Sequence, residues 1–151
     1  MGIAVDIVTT VCIGWLIGTE FAVSAFVNPI LYQLDDRART DAIRRFAKKL
    51  GAVMPFWYIA SLVLLLIEIV ARWNEPGRAW ILAANAIWAA VIVLTLLYLV
   101  PINNRIAGSE AGLSAEMFRH QHHKWDVRHR WRVAALGVAM VCLLIAIRIG
   151  G

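Results

Sequence analysis

Four long apolar runs, Ile3–Leu34, Gly51–Ala71, Trp80–Val100 and Val133–Ile149, take up most of this 151-residue chain. A helix of about 20 mostly apolar residues crosses the hydrocarbon core of a bilayer. Bare peptide groups find no water there, so only helices and closed barrels cross it. The alternating pattern of a membrane barrel is absent from these runs. Apolar residues make up 61% of the chain, against roughly 45–50% in a soluble domain, so the runs are too many to be buried soluble cores. The expected fold is all-α, one four-helix transmembrane bundle that uses residues 1–151 as a single domain. No Lys or Arg precedes the first run, and it exceeds the ~7–15 apolar residues of a signal peptide. It is therefore read as a retained span.

Charge placement orients the bundle. Arg37, Arg39, Arg44, Arg45, Lys48 and Lys49 crowd the first connection, and Arg105, Arg119, Lys124, Arg128, Arg130 and Arg132 the third. The second connection holds Arg72 and Arg78, and the tail Arg148. Short cytoplasmic loops carry the Lys/Arg excess. Both termini are expected outside, with the basic connections in the cytoplasm and a bacterial inner membrane as the location. The net charge of +5 follows from this asymmetry. It points to anionic lipid heads rather than nucleic acid. The expected partners are the bilayer and a lipophilic small molecule, and a homo-oligomer stays open.

Both basic connections read as ordered. Between Thr40 and Leu50, Ile43, Phe46 and Leu50 share a helical face and the cations cover the other. That pattern fits an interfacial amphipathic helix or an extension of the second span. After the turn-rich stretch Ala107–Gly112, Ser114 can cap a helix with Glu116 in its first turn. No breaker follows before Gly137, so an amphipathic cytoplasmic helix is expected to lead into the fourth span. Asn74–Gly77 reads as a tight outer turn.

Glu20 sits mid-way along the first run. A charge at bilayer depth costs roughly 2.5–3.5 kcal/mol on insertion scales, which makes an intramembrane carboxylate a functional candidate. Glu20, Ser24 and Asn28 follow at i, i+4 and i+8, as one polar stripe on a helix face, with Pro29 next to free a carbonyl one turn back. Gly14 and Gly18 form a small-xxx-small pair that reads as close helix packing. In the third connection, His122, Asp126 and His129 share a face and could supply three metal ligands, whereas His120 and His123 fall on the wet side. His129 lies nearest the membrane core and is an acid–base candidate. Trp73, Trp80 and Trp131 fit an interfacial belt. Pro55-Phe56-Trp57-Tyr58, a turn further in, could wall a pocket for a flat aromatic ligand. Cys12 and Cys142 are single thiols inside spans, which argues against thiol–disulfide chemistry. No phosphate loop, nucleophile triad or dinucleotide fingerprint is present.

Glu20-Phe21, Asn28-Pro29, Pro55-Phe56-Trp57, Pro101-Ile102-Asn103 and Trp125-Asp126-x-x-His129-x-x-Arg132 fall in all four helices. In that order they resemble the anthrone oxygenase-like family of small four-helix membrane proteins. The resemblance implies an oxygenase-like role on polycyclic aromatic phenols, in the manner of anthrone to anthraquinone. The expected catalytic set is His129, Glu20, Asp126 and Arg132, with Asn28, Asn103, Trp57, Ser24 and Trp125 as substrate contacts in a cytoplasm-facing pocket. His129 or Glu20 would be the base, and Asn28, Asn103 and Arg132 would hold an oxyanion. The cofactor stays open among none, a transition metal (Cu or Fe) and haem. Two other readings stand beside this one: a non-enzymatic haem- or quinone-binding protein with His129 as ligand, and a structural partner subunit.

Overall fold

The computed structural model describes residues 2–108 and 115–150, and among these it contains helices and short turns and no strand. Four rods run up and down. The first joins α1 (Gly2–Ala22), a π turn (Val23–Val27) and α2 (Asn28–Gln33). The second is α3 (Asp36–Ala71). The third joins α4 (Arg78–Leu94), a second π turn (Thr95–Leu99) and α5 (Val100–Gly108). The fourth is α6 (Ala115–Gly150). Each rod is long and apolar enough to cross a membrane, so this is an integral membrane protein of the expected all-α, four-span class. The basic stretch after Thr40 is the start of α3, an extension of the second span and not a separate interfacial helix. The basic stretch before the fourth span is continuous with it in α6. Ser114, the expected cap of that helix, lies outside the described residues.

The first connection turns sharply because its ends are capped from within. The Asp35 carboxylate accepts from the Arg37 and Ala38 N–H groups, both at 3.0 Å, and so satisfies orphan donors at the start of α3. The Ala38 N–H foremost, with that of Arg37, holds this exposed carboxyl below the usual range. Arg39 reaches back to the end of α2 and donates to the carbonyls of Leu31 (3.1 Å), Tyr32 (3.2 Å) and Leu34 (2.7 Å). Carbonyls at a helix C-terminus lack the N–H four residues on; here the Leu31 carbonyl also accepts from the Leu34 N–H at 3.3 Å.

Both π turns precede a proline, Pro29 and Pro101. A proline inside a helix lacks an N–H and clashes with the carbonyl four residues earlier. Here those carbonyls belong to Ala25 and Leu97, each inside a π turn. Widening the turn relieves the clash without breaking the rod.

Two apolar clusters fill the bundle. The larger packs Ile13, Leu16, Leu65, Ile81, Trp88, Leu136 and Leu143. The smaller, at the basic end, packs Leu31, Ile43, Ile102, Ile106 and Phe118. Polar side chains gather between them and at the opposite end.

At that opposite end Arg72 is 5% exposed and binds Asp6 at 2.6 Å, Glu68 at 3.2 Å and Glu75 at 2.7 Å. The charge count treats Arg72 as a loop cation, but the fold makes it the hub that ties α1, α3 and the outer turn. Glu68 and Arg72, four residues apart with Asp6 on the neighbouring span, were the signal in the sequence. Gly14 and Gly18 do not pack closely within the chain, since a Cβ on either would meet nothing within 4 Å. Their face of α1 carries Val11 (43% exposed) and Trp15 (69%) and looks outward, while Ile13, Leu16 and Glu20 look in.

Gly77 begins α4 against the fourth span. A Cβ there would collide with the Ala146 carbonyl, which is backbone and cannot swing away. Gly77→Ala is therefore expected to lower stability by about 1–3 kcal/mol, the usual range for overpacking. Thermal unfolding in detergent measures it, and an unchanged midpoint would refute the contact.

Candidate functional site

Between the two apolar clusters lies a cavity of about 480 Å³. That is the size of a small-molecule site. The first rod contributes Thr19, Glu20 and Val23; α3 contributes Gly51, Met54, Pro55 and Tyr58; the third rod contributes Thr95, Leu99 and Asn103; α6 contributes Trp125, His129 and Arg132. Most of the wall is apolar, and the polar groups meet around one carboxylate.

That carboxylate is Glu20, 3% exposed. Its Oε1 accepts from Tyr58 Oη at 2.9 Å, and its Oε2 from Arg132 Nη2 at 2.6 Å. His129 completes the group. Its Nε2 lies 3.1 Å from the Glu20 backbone oxygen, which can only accept, so Nε2 carries a proton. Its Nδ1 lies 2.9 Å from Arg132 Nη2, which can only donate, so Nδ1 is the lone-pair side. The geometry thus assigns a neutral imidazole, although Nδ1 is also 3.2 Å from Glu20 Oε2. Arg132 bridges the carboxylate and the ring, while its Nη1 has a long 3.5 Å contact to Thr95 and its Nε has no partner. A buried cation with unused donors beside a cavity suits a ligand oxygen that carries negative charge.

A family model described as anthrone oxygenase matches residues 44–142, about two thirds of the chain. The chain belongs to the anthrone oxygenase family. The match takes in Tyr58, Asn103, Trp125, His129 and Arg132, while Glu20 and Asn28 lie ahead of it. Searches of curated proteins and of solved structures found no match.

In this member of the anthrone oxygenase family, the structure brings together Glu20, His129, Arg132, Trp125 and Asn103 around the cavity, and it redistributes the other candidates. Asn28 lines only a side cavity of about 50 Å³, and its Nδ2 donates to Asp126 Oδ1 at 2.6 Å. That donor is engaged by Asp126, outside the large cavity. Asp126 also pairs with Arg130 at 3.2 Å and does not line the large cavity. The Trp57 indole donates to the Cys12 carbonyl at 3.1 Å, so it ties α3 to α1 and does not wall the cavity. Phe56 is 76% exposed. Ser24 is half-buried and outside both cavity linings. Eight residues at 3.6 per turn overshoot two turns by about 80°. The extra residue in the π turn takes most of that back, so Glu20 and Asn28 both face inward.

His122, Asp126 and His129 do not converge as metal ligands. The rings of His122, Trp125 and His129 lie nearly parallel in sequence along α6, with centroids 6.5 and 4.5 Å apart, so the indole stands between the histidines. No group of three suitable ligands occurs among the described residues. Both nitrogens of His129 are engaged, which leaves none for haem iron without breaking the Glu20–Arg132 arrangement. Asn103 Nδ2 donates to the Ala47 carbonyl at 3.3 Å. Of the run expected to wall a pocket, Pro55 and Tyr58 do line the cavity, but the bond from Tyr58 to Glu20 was not legible in the sequence. Nor was the part played by Trp88. Trp88, fully buried, donates to the Tyr58 carbonyl at 3.2 Å and fixes its turn of α3. Their separation of 30 residues gave no local signal.

Proposed function

We propose that the protein is a membrane oxygenase that converts a lipophilic polycyclic phenol of the anthrone or quinol type to the quinone, with its basic end in the cytoplasm of a bacterial inner membrane. Family membership supports the reaction class. The observation that carries the reading is Glu20 held by Arg132 and Tyr58 at the wall of an apolar cavity large enough for fused rings.

In this reading the ring methylene or hydroxyl of the substrate faces Glu20, which takes its proton. Tyr58 and Arg132 fix the carboxylate, and His129 fixes Arg132 through Nδ1. The electron pair left on the substrate delocalises toward its oxygen, and the unused donors of Arg132 stabilise that oxygen. Trp125, stacked between the two histidines, offers the ring system its edge at the cavity wall. Dioxygen is the oxidant. With an anthrone the carbanion carbon bonds one oxygen atom, the O–O bond breaks, one oxygen stays as the new carbonyl and the other leaves as water with two substrate hydrogens; a quinol gives up two hydrogens, gains no oxygen and releases the dioxygen as hydrogen peroxide.

The test uses the protein reconstituted in vesicles with anthrone and isotopically labelled dioxygen. One labelled oxygen per quinone and one in water are expected. Quinone formed at the uncatalysed rate, or without label, would overturn the reading.

A further inference from the structure

We infer that the cavity opens sideways, through a window between the second and third spans, and takes its ligand from the hydrocarbon of the bilayer. The inference rests on the functional reading only for the identity of the ligand, a flat uncharged polycyclic molecule dissolved among acyl chains. The window itself follows from how the two spans are fastened.

Three hydrogen bonds fasten them, and two of these bracket the cavity. Asn85 donates to the Leu65 carbonyl at 3.1 Å toward the outer end. Trp88 donates to the Tyr58 carbonyl at 3.2 Å, and Asn103 donates to the Ala47 carbonyl at 3.3 Å. Between these clasps α3 advances 11 residues, from Ala47 to Tyr58, and the third rod 15, from Trp88 to Asn103. At about 1.5 Å per residue those lengths are roughly 16 and 22 Å. The third rod therefore places about 6 Å more helix than α3 over this stretch. Its π turn Thr95–Leu99, ahead of Pro101, falls inside it, and α3 has its own Pro55 there. Backbone packing against α3 is close along α4 and again along α5, and lapses at the π turn between them.

The residues at the gap agree. Pro55 and Ile59 on α3 and Leu96 on the π turn line the cavity and are also exposed on the outside of the bundle, Ile59 by 58% and Leu96 by 60%. One side chain that faces both an interior cavity and the outer surface marks an opening. Lys48 and Asn104 do the same at the basic end. The rim of Pro55, Ile59 and Leu96 is apolar and lies within stretches that cross the membrane, so what it meets outside is lipid. At the basic end the Asn103 clasp is backed by Gly51, where a Cβ would come to 3.0 Å of Asn103 Nδ2. That close approach narrows the alternative route past Lys48 and Asn104.

A labelling experiment without substrate or turnover tests this, so failure of the oxygenase reading leaves its outcome intact. In vesicle-reconstituted protein carrying Cys12→Ala and Cys142→Ala, Thr95→Cys places one thiol on the cavity wall beside Arg132, whose charge favours the reactive thiolate. Met54→Cys is the second probe position should Thr95→Cys fail to fold. An uncharged maleimide that partitions into lipid is compared with a charged, membrane-impermeant thiosulfonate. Val63→Cys and Arg45→Cys serve as lipid-facing and aqueous controls. The uncharged reagent is expected to win by about a hundredfold or more, the factor set by carrying a charge into hydrocarbon. Leu96→Trp, which fills the window, should slow it strongly, while Asn104→Trp should not. Equal labelling by the charged reagent, blocked by Asn104→Trp, would overturn the proposal in favour of an aqueous mouth. Labelling of the controls but of neither cavity cysteine would overturn it in favour of a closed cavity.

Discussion

Glu20→Gln is expected to lower oxygenation by about 10²–10⁴-fold, the usual contribution of a positioned base. It should also destabilise the bundle. Without the carboxylate, Arg132 is left as a nearly buried cation with its side chain 12% exposed and no counter-ion at hand. Removing one partner of such a pair costs roughly 3–5 kcal/mol. The two effects separate in the double variant Glu20→Gln/Arg132→Gln, which leaves no lone charge. It should regain most of the stability and none of the activity. Unfolding midpoints and quinone formation on the same preparations give both numbers. Full activity in Glu20→Gln would remove Glu20 from the chemistry and leave His129 Nδ1 as the proton acceptor. His129→Ala should abolish activity in a protein that still folds, because it frees Arg132 from the ring. His120→Ala and His123→Ala, at exposed positions on α6, should be silent. Equal losses from all three would trace the effect to folding or lipid binding.

Arg72→Met is expected to be the most destabilising single change at the outer end. It strips the cation from Asp6 and Glu68, whose side chains are 17% and 1% exposed, and from the half-open Glu75. Uncompensated buried charge again sets a loss of roughly 3–5 kcal/mol. The triple variant Asp6→Asn/Glu68→Gln/Arg72→Met removes the charges together and should recover most of it. Neither variant touches the cavity, so activity should follow the folded fraction. A wild-type unfolding midpoint for Arg72→Met would show that the hub adds nothing to stability.

The sequence by itself determined the class of fold. Four apolar runs admit no other solution in lipid, because each rod must satisfy its own peptide hydrogen bonds. Glu20, His129 and Arg132 were legible as functional candidates for the same kind of reason: a charged or ionisable group is too costly at that depth to be there without a partner. Which partner it finds is a tertiary matter. Arg132 reaches Glu20 across 112 positions of chain, and Tyr58 across 38. No periodicity within one helix encodes contacts between helices. The π turn ahead of Pro29 keeps Asn28 on the inward face with Glu20, where a regular helix would rotate it away. His122 and His129 share a face of α6 but stand two turns apart, about 10 Å at 1.5 Å per residue, too far for one metal ion. Arg72 looked like a loop cation until the fold brought Asp6 against it, and the window between the second and third spans exists only because two distant hydrogen bonds fasten unequal lengths of helix.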